Sequence, residues 1–375
     1  TRKTRSHKLL VIVYQFFFEN ICNWDPEIFE MTLVSSQELT VEQTTKLQEL
    51  IDAVPKILAK TENPEYDEIY GYRIGPEGEE HVDVAVRNEI LLKFLIATEY
   101  DVAAAQEKLV KTLDWRHKFQ VLSAAYYEKF DAGLEKMGVI TDYKSNVDNF
   151  RVVTWNLYAN LKNPKKLFAK YGVGVTEDGS AAPQAEDKAL PGTMFLRWRV
   201  GLMERSLSLL DFTNKDNCKA AQVHDYYNVS MFRMDPGMKA ATNEIIKVFG
   251  DNYPELLSKK YFINVPLLMG WMFTFFKATG LMGAATLKKF EMQNHGDLSS
   301  SFGKDNLPKE YNGGKANENV PEIFALAVAD SQISVPEYGS ILLKKLKGKT
   351  GAQENQGTTG TTRETDVAEE ITAST

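Results

Sequence analysis

The chain has 375 residues, with 51 acidic against 44 basic side chains and a formal net charge of -7. That length allows one large domain or two ordinary ones, and a 43% hydrophobic, 11% aromatic composition can fill a sizeable core. The mild acidity argues against a nucleic-acid binder. The two cysteines, Cys22 and Cys218, exclude a disulfide scaffold, a cysteine-rich zinc site and covalent haem attachment, and suit a reducing cytosol.

Residues 8–18, KLLVIVYQFFF, are apolar but too short to span a bilayer. No small-residue cleavage site follows them, as a secretory signal would need. Residues 1–30 are therefore expected to be an extension outside the fold, with Met31 opening the folded chain. A helix is expected over 32–62 behind polar caps, then a loop over 63–86 with Pro64 and Pro76. Residues 87–130 are strongly helical: Leu91, Leu92, Leu95 and Ile96 recur at helical spacing, as do Leu109, Leu113 and Phe119.

From residue 151 the period changes. RVVTWNLY (151–158), QVHDYYNVS (222–230), KKYFINVP (259–266) and LKKFEMQ (287–293) read as strands. Helical stretches separate them at 193–210, 237–252 and 267–285. The alternation predicts an α/β domain with parallel strand pairs. Residues 171–192 read as a surface loop insertion, and 350–375, rich in Thr, Gly and Glu, as a disordered tail. The basic run LLKKLKGK, residues 342–349, is a solvated face or a contact for anionic headgroups.

Segment 265–285, VPLLMGWMFTFFKATGLMGAA, has nearly the length of a membrane span, yet it carries Lys277, three glycines and Pro266. A helix apolar all round is deeply buried, membrane-spanning or a movable lid.

The strand-like stretch 222–230 poses the chemical question. Val223 and Asp225 fall on one face, His224 and Tyr226 on the other, roughly 7 Å apart by strand rise. His224 and Tyr226 are either a satisfied core pair or a ligand pair. A tyrosine phenolate is a hard anionic ligand that suits ferric haem iron. His224 could then hydrogen-bond to that phenolate and orient it. His81, His117 and His295 have no evident relation to this pair. The chain has no G-x-G-x-x-G, P-loop, G-x-S-x-G or H-E-x-x-H motif, so an enzyme, including a haem peroxidase, is not expected.

Three pieces in order carry a resemblance. LLKFLIATEYDVAAAQEKLVKTLDWRHKF (91–119), YPELLSKKYFINVPLLMGWMFTFFK (253–277) and LPKEYNGG (307–314) resemble the helical lead-in, the Tyr-Pro-Glu turn with strand and gate helix, and the closing motif of the CRAL-TRIO lipid-binding family. The resemblance implies an N-terminal helical lobe over 31–130 and a ligand-binding domain over 131–318. The latter's mixed, largely parallel sheet would floor a hydrophobic pocket closed by the gate helix. A C-terminal helical segment over 319–349 would follow. The apolar segment 267–285 would be the lid, inserting shallowly into a bilayer when open. A phosphatidylinositol transfer protein is implied, cytoplasmic and peripherally associated with the endoplasmic reticulum membrane. Glu255, Thr286 and Lys289 match the family's headgroup region. Ile96 and Thr98 stand where the lead-in usually has arginines, and a phosphodiester needs cationic donors to offset its desolvation.

Part of the family is associated with haem b as well as inositol lipid. Carried over residue by residue, this implies Tyr226 as the axial iron ligand with His224 beside it. Arg199 and Lys260 would be cationic contacts to the propionates, and Tyr158 a polar contact to the macrocycle. Haem and phosphatidylinositol would compete for one pocket.

Overall fold

In the computed structural model the described residues are 33–143, 151–158, 164–173, 190–227, 229, 236–266, 288–312 and 322–356. The N-terminal part is helical, as its periodicity predicts, but broken at punctuating residues. α1 (Val41–Asp52) starts in a reciprocal capping box between Thr40 and Gln43, and α2 (Val54–Leu58) restarts around Pro55. The expected loop contains a small hairpin, β1 (Glu68–Ile69) with β2 (Tyr72–Arg73). The long helical stretch resolves into α3 (Val84–Ile96), α4 (Val102–Phe119) and α5 (Val121–Tyr126). Asp83 and Asp101 cap the first two through their side chains.

A short helix, α6 (Ala132–Glu135), leads into a five-stranded sheet in the order β3 (Gly138–Asp142), β4 (Val152–Leu157), β5 (Ala220–Asp225), β6 (Leu257–Ile263), β7 (Phe290–Met292). β3 pairs antiparallel with β4 and all later pairs are parallel. β3 is the strand the sequence reading missed. The crossovers carry α7 (Pro164–Tyr171) and α8 (Met194–Leu207) between β4 and β5, and α9 (Pro236–Asn252) between β5 and β6. α10 (Ser299–Phe302) and α11 (Glu337–Gln356) follow. The last helix runs past residue 349 into the stretch read as a disordered tail. The proposed lid, 267–285, lies outside the described residues, as do 1–32. No described helix is long and apolar enough to cross a membrane.

The sheet has two unlike faces. Val153, Trp155, Ala221, Val223, Tyr261 and Ile263 pack with Phe302, Leu307 and Tyr311 into an apolar layer. The alternating residues on the other face include Thr154, Asn156, Gln222, His224 and Lys260. A buried sheet face with this many polar groups is not built for packing alone.

α8 ties that face to the helical lobe. Arg116 of α4, fully buried, bonds Glu68 at 2.7 Å and Glu204 of α8 at 2.7 Å. Tyr66 and Tyr253 donate to the same two carboxylates at 2.6 Å each. Near the start of α8, Arg197 is paired with Glu128 and donates to the carbonyls of Phe119 and Pro191 at 2.8 and 2.9 Å. Between the two anchors, Gly201 lets α8 approach α5: a Cβ there would lie 2.4 Å from the Ala124 carbonyl oxygen. Arg116→Met is expected to cost about 3–5 kcal/mol, because it strands two buried carboxylates without their cation. Urea unfolding monitored by circular dichroism measures it. A loss below about 1 kcal/mol would show that the network is not holding lobe and sheet together.

Candidate functional site

The polar face of the sheet and α8 converge on one cluster. His224 is the second-last residue of β5 and Tyr226 follows the strand, its N–H donating to the Ile263 carbonyl at 3.1 Å. Tyr158 sits just beyond β4. Lys260 lies in β6 beside Gln222 in register, and Phe262 beside His224. Arg199 reaches the cluster from the middle of α8. The structure therefore brings together all five residues that the sequence reading proposed for haem. The expected strand 222–230 ends at Asp225, and Tyr226, one residue on, is still tied to β6 by its N–H bond to the Ile263 carbonyl.

The hydrogen bonds differ from the expected ones. His224 Nδ1 lies 3.1 Å from the hydroxyl of Tyr158, not beside that of Tyr226. Its Nε2 faces Gln222 Oε1 at 3.5 Å, the limit of a hydrogen bond. A neutral ring with its proton on Nε2 satisfies both, accepting from Tyr158 at Nδ1. Burial, with Lys260 and Arg199 nearby, holds His224 well below the usual histidine range, so the ring is neutral at pH 7. The Tyr226 ring packs against Tyr158 at 5.0 Å and Phe262 at 6.4 Å, and no hydrogen bond from a described residue engages its hydroxyl.

The cations are unusually bare. Arg199 is 3% exposed and donates from Nη1 to Asn156 Oδ1, while its Nε has no partner. Lys260 lies over the rings of Phe262 and Phe290 at 5.4 and 5.7 Å and forms no ion pair with a described residue. Desolvation, then the Arg199 charge, pushes its ammonium down to about 7. Asp225 points to the opposite face, where it bonds Tyr311 and Asn264. Burial also raises the Tyr226 and Tyr158 phenols, which stay protonated.

This donor set bears on which group could be held. Among the described residues no three His, Cys, Asp or Glu side chains converge as a bare-metal site. A single phenol oxygen suits an iron that brings its own ring of nitrogen ligands. Two cations without counter-ions, one with an orphaned buried N–H, suit a group carrying carboxylates. The residues present fit a haem.

A second cluster lies at the other end of β6. Glu255 accepts from Lys289 at 2.9 Å, and Lys219 is 3.8 Å away. The buried Lys93 Nζ donates to the Cys218 carbonyl at 3.1 Å, and burial lowers it to about 8. Glu255, Lys219 and Lys93 border a cavity of about 140 Å³ lined also by Ser258, whose buried hydroxyl has no partner. Whole small-molecule sites run to roughly 300–1,000 Å³, so this cavity holds one small polar group rather than a lipid. Thr286, expected here, lies outside the described residues. Ile96 lines the cavity where an arginine was expected, and Lys93, one helical turn before it, supplies a cation instead.

The sequence reading missed Asn156, Gln222, Lys93 and Ser258. The first two carry a findable signal, because Thr154, Asn156 and Tyr158 alternate onto one face, as Gln222 and His224 do. Lys93 and Ser258 meet only through tertiary packing. His81, His117 and His295 lie elsewhere, against Glu337, Asn63 and Asp297 respectively.

Comparison with known proteins agrees with this fold. The CRAL/TRIO domain model matches residues 149–313. The phosphatidylinositol transfer protein SFH5 of Debaryomyces hansenii is 56% identical over 84% of this chain and 89% of its own length. The protein of the same name from Candida albicans is 53% identical over 84% and 92%. A crystal structure of Sfh5 superposes with a TM-score of 0.70 at 33% identity, covering 84% of this chain and 99% of that one. With matches at this identity and coverage, the chain belongs to the CRAL-TRIO family, in the group of these yeast transfer proteins.

Proposed function

We propose that this protein is a phosphatidylinositol transfer protein whose pocket also binds haem b non-covalently, and that it is not an enzyme. The names of its relatives support the lipid reading. The observation that carries the haem reading is the gathering of Arg199, whose buried Nε has no partner, and Lys260 beside Tyr226, with no ion-paired carboxylate on either cation among the described residues.

The two clusters divide the work. The inositol phosphate headgroup sits at the Glu255 end, where Lys289, Lys219 and Lys93 offset the phosphodiester charge and Glu255 accepts from ring hydroxyls. The acyl chains run along the sheet toward Phe262 and Phe290. β6 rises roughly 20 Å over its length, so the two ends are a lipid's length apart. Haem would be held at the other end, by the Tyr226 oxygen at its iron, with Arg199 and Lys260 to neutralise its propionates. Bound haem supplies a ferric centre that lowers the phenol's proton affinity. His224 keeps Tyr158 directed away from Tyr226, which leaves that oxygen free. The role served in the cell is phosphoinositide supply, haem or oxidant handling, or both, at the cytoplasmic face of the endoplasmic reticulum membrane.

Two substitutions separate the ends. Tyr226→Phe is expected to abolish the Soret band of protein purified from haem-supplied cells while leaving transfer of labelled phosphatidylinositol between vesicles within about twofold. Lys289→Ala is expected to lower transfer about tenfold, the usual loss for a hydrogen bond to a charged group, and to keep the haem band. A haem band that survives in Tyr226→Phe would show that the axial ligand is wrongly assigned.

Lys260 gives a prediction with a sign. Its folded pKa is below its unfolded value near 10.4, so the unfolded chain binds more protons between about pH 7 and 10, and stability of the unloaded protein rises with pH across that window. Lys260→Met removes the poorly solvated ammonium. The unloaded variant is expected to melt a few degrees higher than wild type at pH 6, with the gap narrowing steadily as the pH rises from about 7 to 10. Its affinity for haem is expected to fall, because a propionate loses its cation. A variant that melts lower at pH 6 would contradict the charge assigned to this residue.

A further inference from the structure

Tyr226 carries the haem reading, yet it stands one residue past the end of β5, and no described residue hydrogen-bonds its hydroxyl. Its direction must be set through the backbone. The residue before it, Asp225, points to the opposite face of the sheet and is 6% exposed. Three donors converge on its carboxylate. Tyr311 O–H reaches Oδ2 at 2.9 Å, Asn264 Nδ2 reaches Oδ1 at 2.8 Å, and the Tyr227 N–H reaches Oδ1 at 2.9 Å.

These donors come from three segments: the exit of β5, the exit of β6, and the short turn Lys309–Tyr311. Each is itself fixed. Asn264 adopts φ +53 and its N–H donates to the His295 carbonyl at 3.1 Å. Tyr311 is 4% exposed, and its ring lies 5.0 Å from that of Trp155. The stretch LPKEYNGG, which ligand contact does not account for, thus places a tyrosine behind the ligand strand.

We propose that Asp225 and Tyr311 are positioning residues: a latch on the reverse face of the sheet fixes the exit of β5, so that Tyr226 meets the haem iron at one place. This rests on the haem reading above. Ligand sites need their donors held within about 0.5 Å, and here the latch adds to the single bond from the Tyr226 N–H to the Ile263 carbonyl.

Tyr311→Phe tests it, since the ring and its packing stay and one hydrogen bond is lost. The full-length variant is loaded with haem. Its ferric absorption and electron paramagnetic resonance spectra, its haem dissociation rate and its phosphatidylinositol transfer are compared with wild type. The latch predicts a mixture of ferric signals in place of one, and dissociation about tenfold faster, with transfer unchanged because the headgroup end does not use the latch. Asp225→Asn is expected to do the same more strongly. A purely structural role would lower haem binding and transfer together and leave a single ferric signal. Wild-type spectra and rate in Tyr311→Phe would overturn the latch alone. A wild-type protein that takes up no haem would overturn the haem reading, and the latch with it.

Discussion

The site depends on how α8 is held. Its two buried anchors, Arg197 on Glu128 and Glu204 on Arg116, fix the helix to the lobe at both ends. With rotation and sliding blocked, Arg199 can only face the sheet, where it meets Asn156. Buried ion pairs add little net stability against apolar replacements, but they resist rearrangement because breaking either one strands a charge. Arg199 is thereby kept buried and under-bonded, a state that a freer helix would relieve by turning it outward.

The same logic explains the two faces of the sheet. One face is a dry layer around Trp155 and Phe302, which supplies the cohesion. The other can therefore hold His224, Lys260 and Arg199 at a cost the rest of the fold offsets. Groups whose charged forms are disfavoured by burial and by one another mark a place waiting for an anion. A haem, with two carboxylates and an iron, answers the charges and the free phenol together. In the proposed reading, a phosphatidylinositol would answer the charges at the other end and cover Phe262 and Phe290 with its chains.

Much of this was legible in the sequence, for local reasons. Strands β4, β5 and β6 announce themselves by alternation, and the pairing of His224 with Tyr226 on one face needs only a period of two. The Arg199 position followed from the family resemblance, not from spacing. What was illegible depended on long-range contact. β3 is a short strand after a loop and carries no pattern of its own. The Tyr158 bond to His224 joins residues 66 apart, and it displaced the expected bond to Tyr226. Lys93 reads as an ordinary helix-surface cation until the fold buries it. The helix to Gln356 runs through Gly348, Thr350 and Gly351, which argue against it locally.

One face with two charged ends leads to a single claim: haem and phosphatidylinositol share the same apolar middle and exclude one another. Native mass spectrometry of protein isolated from haem-supplied cells, with lipid vesicles then added, measures this directly. The account predicts two populations, each carrying one equivalent of haem or one of phosphatidylinositol, with lipid gained only as haem is lost. A species carrying both at once would contradict it, and would require two separate cavities in place of one.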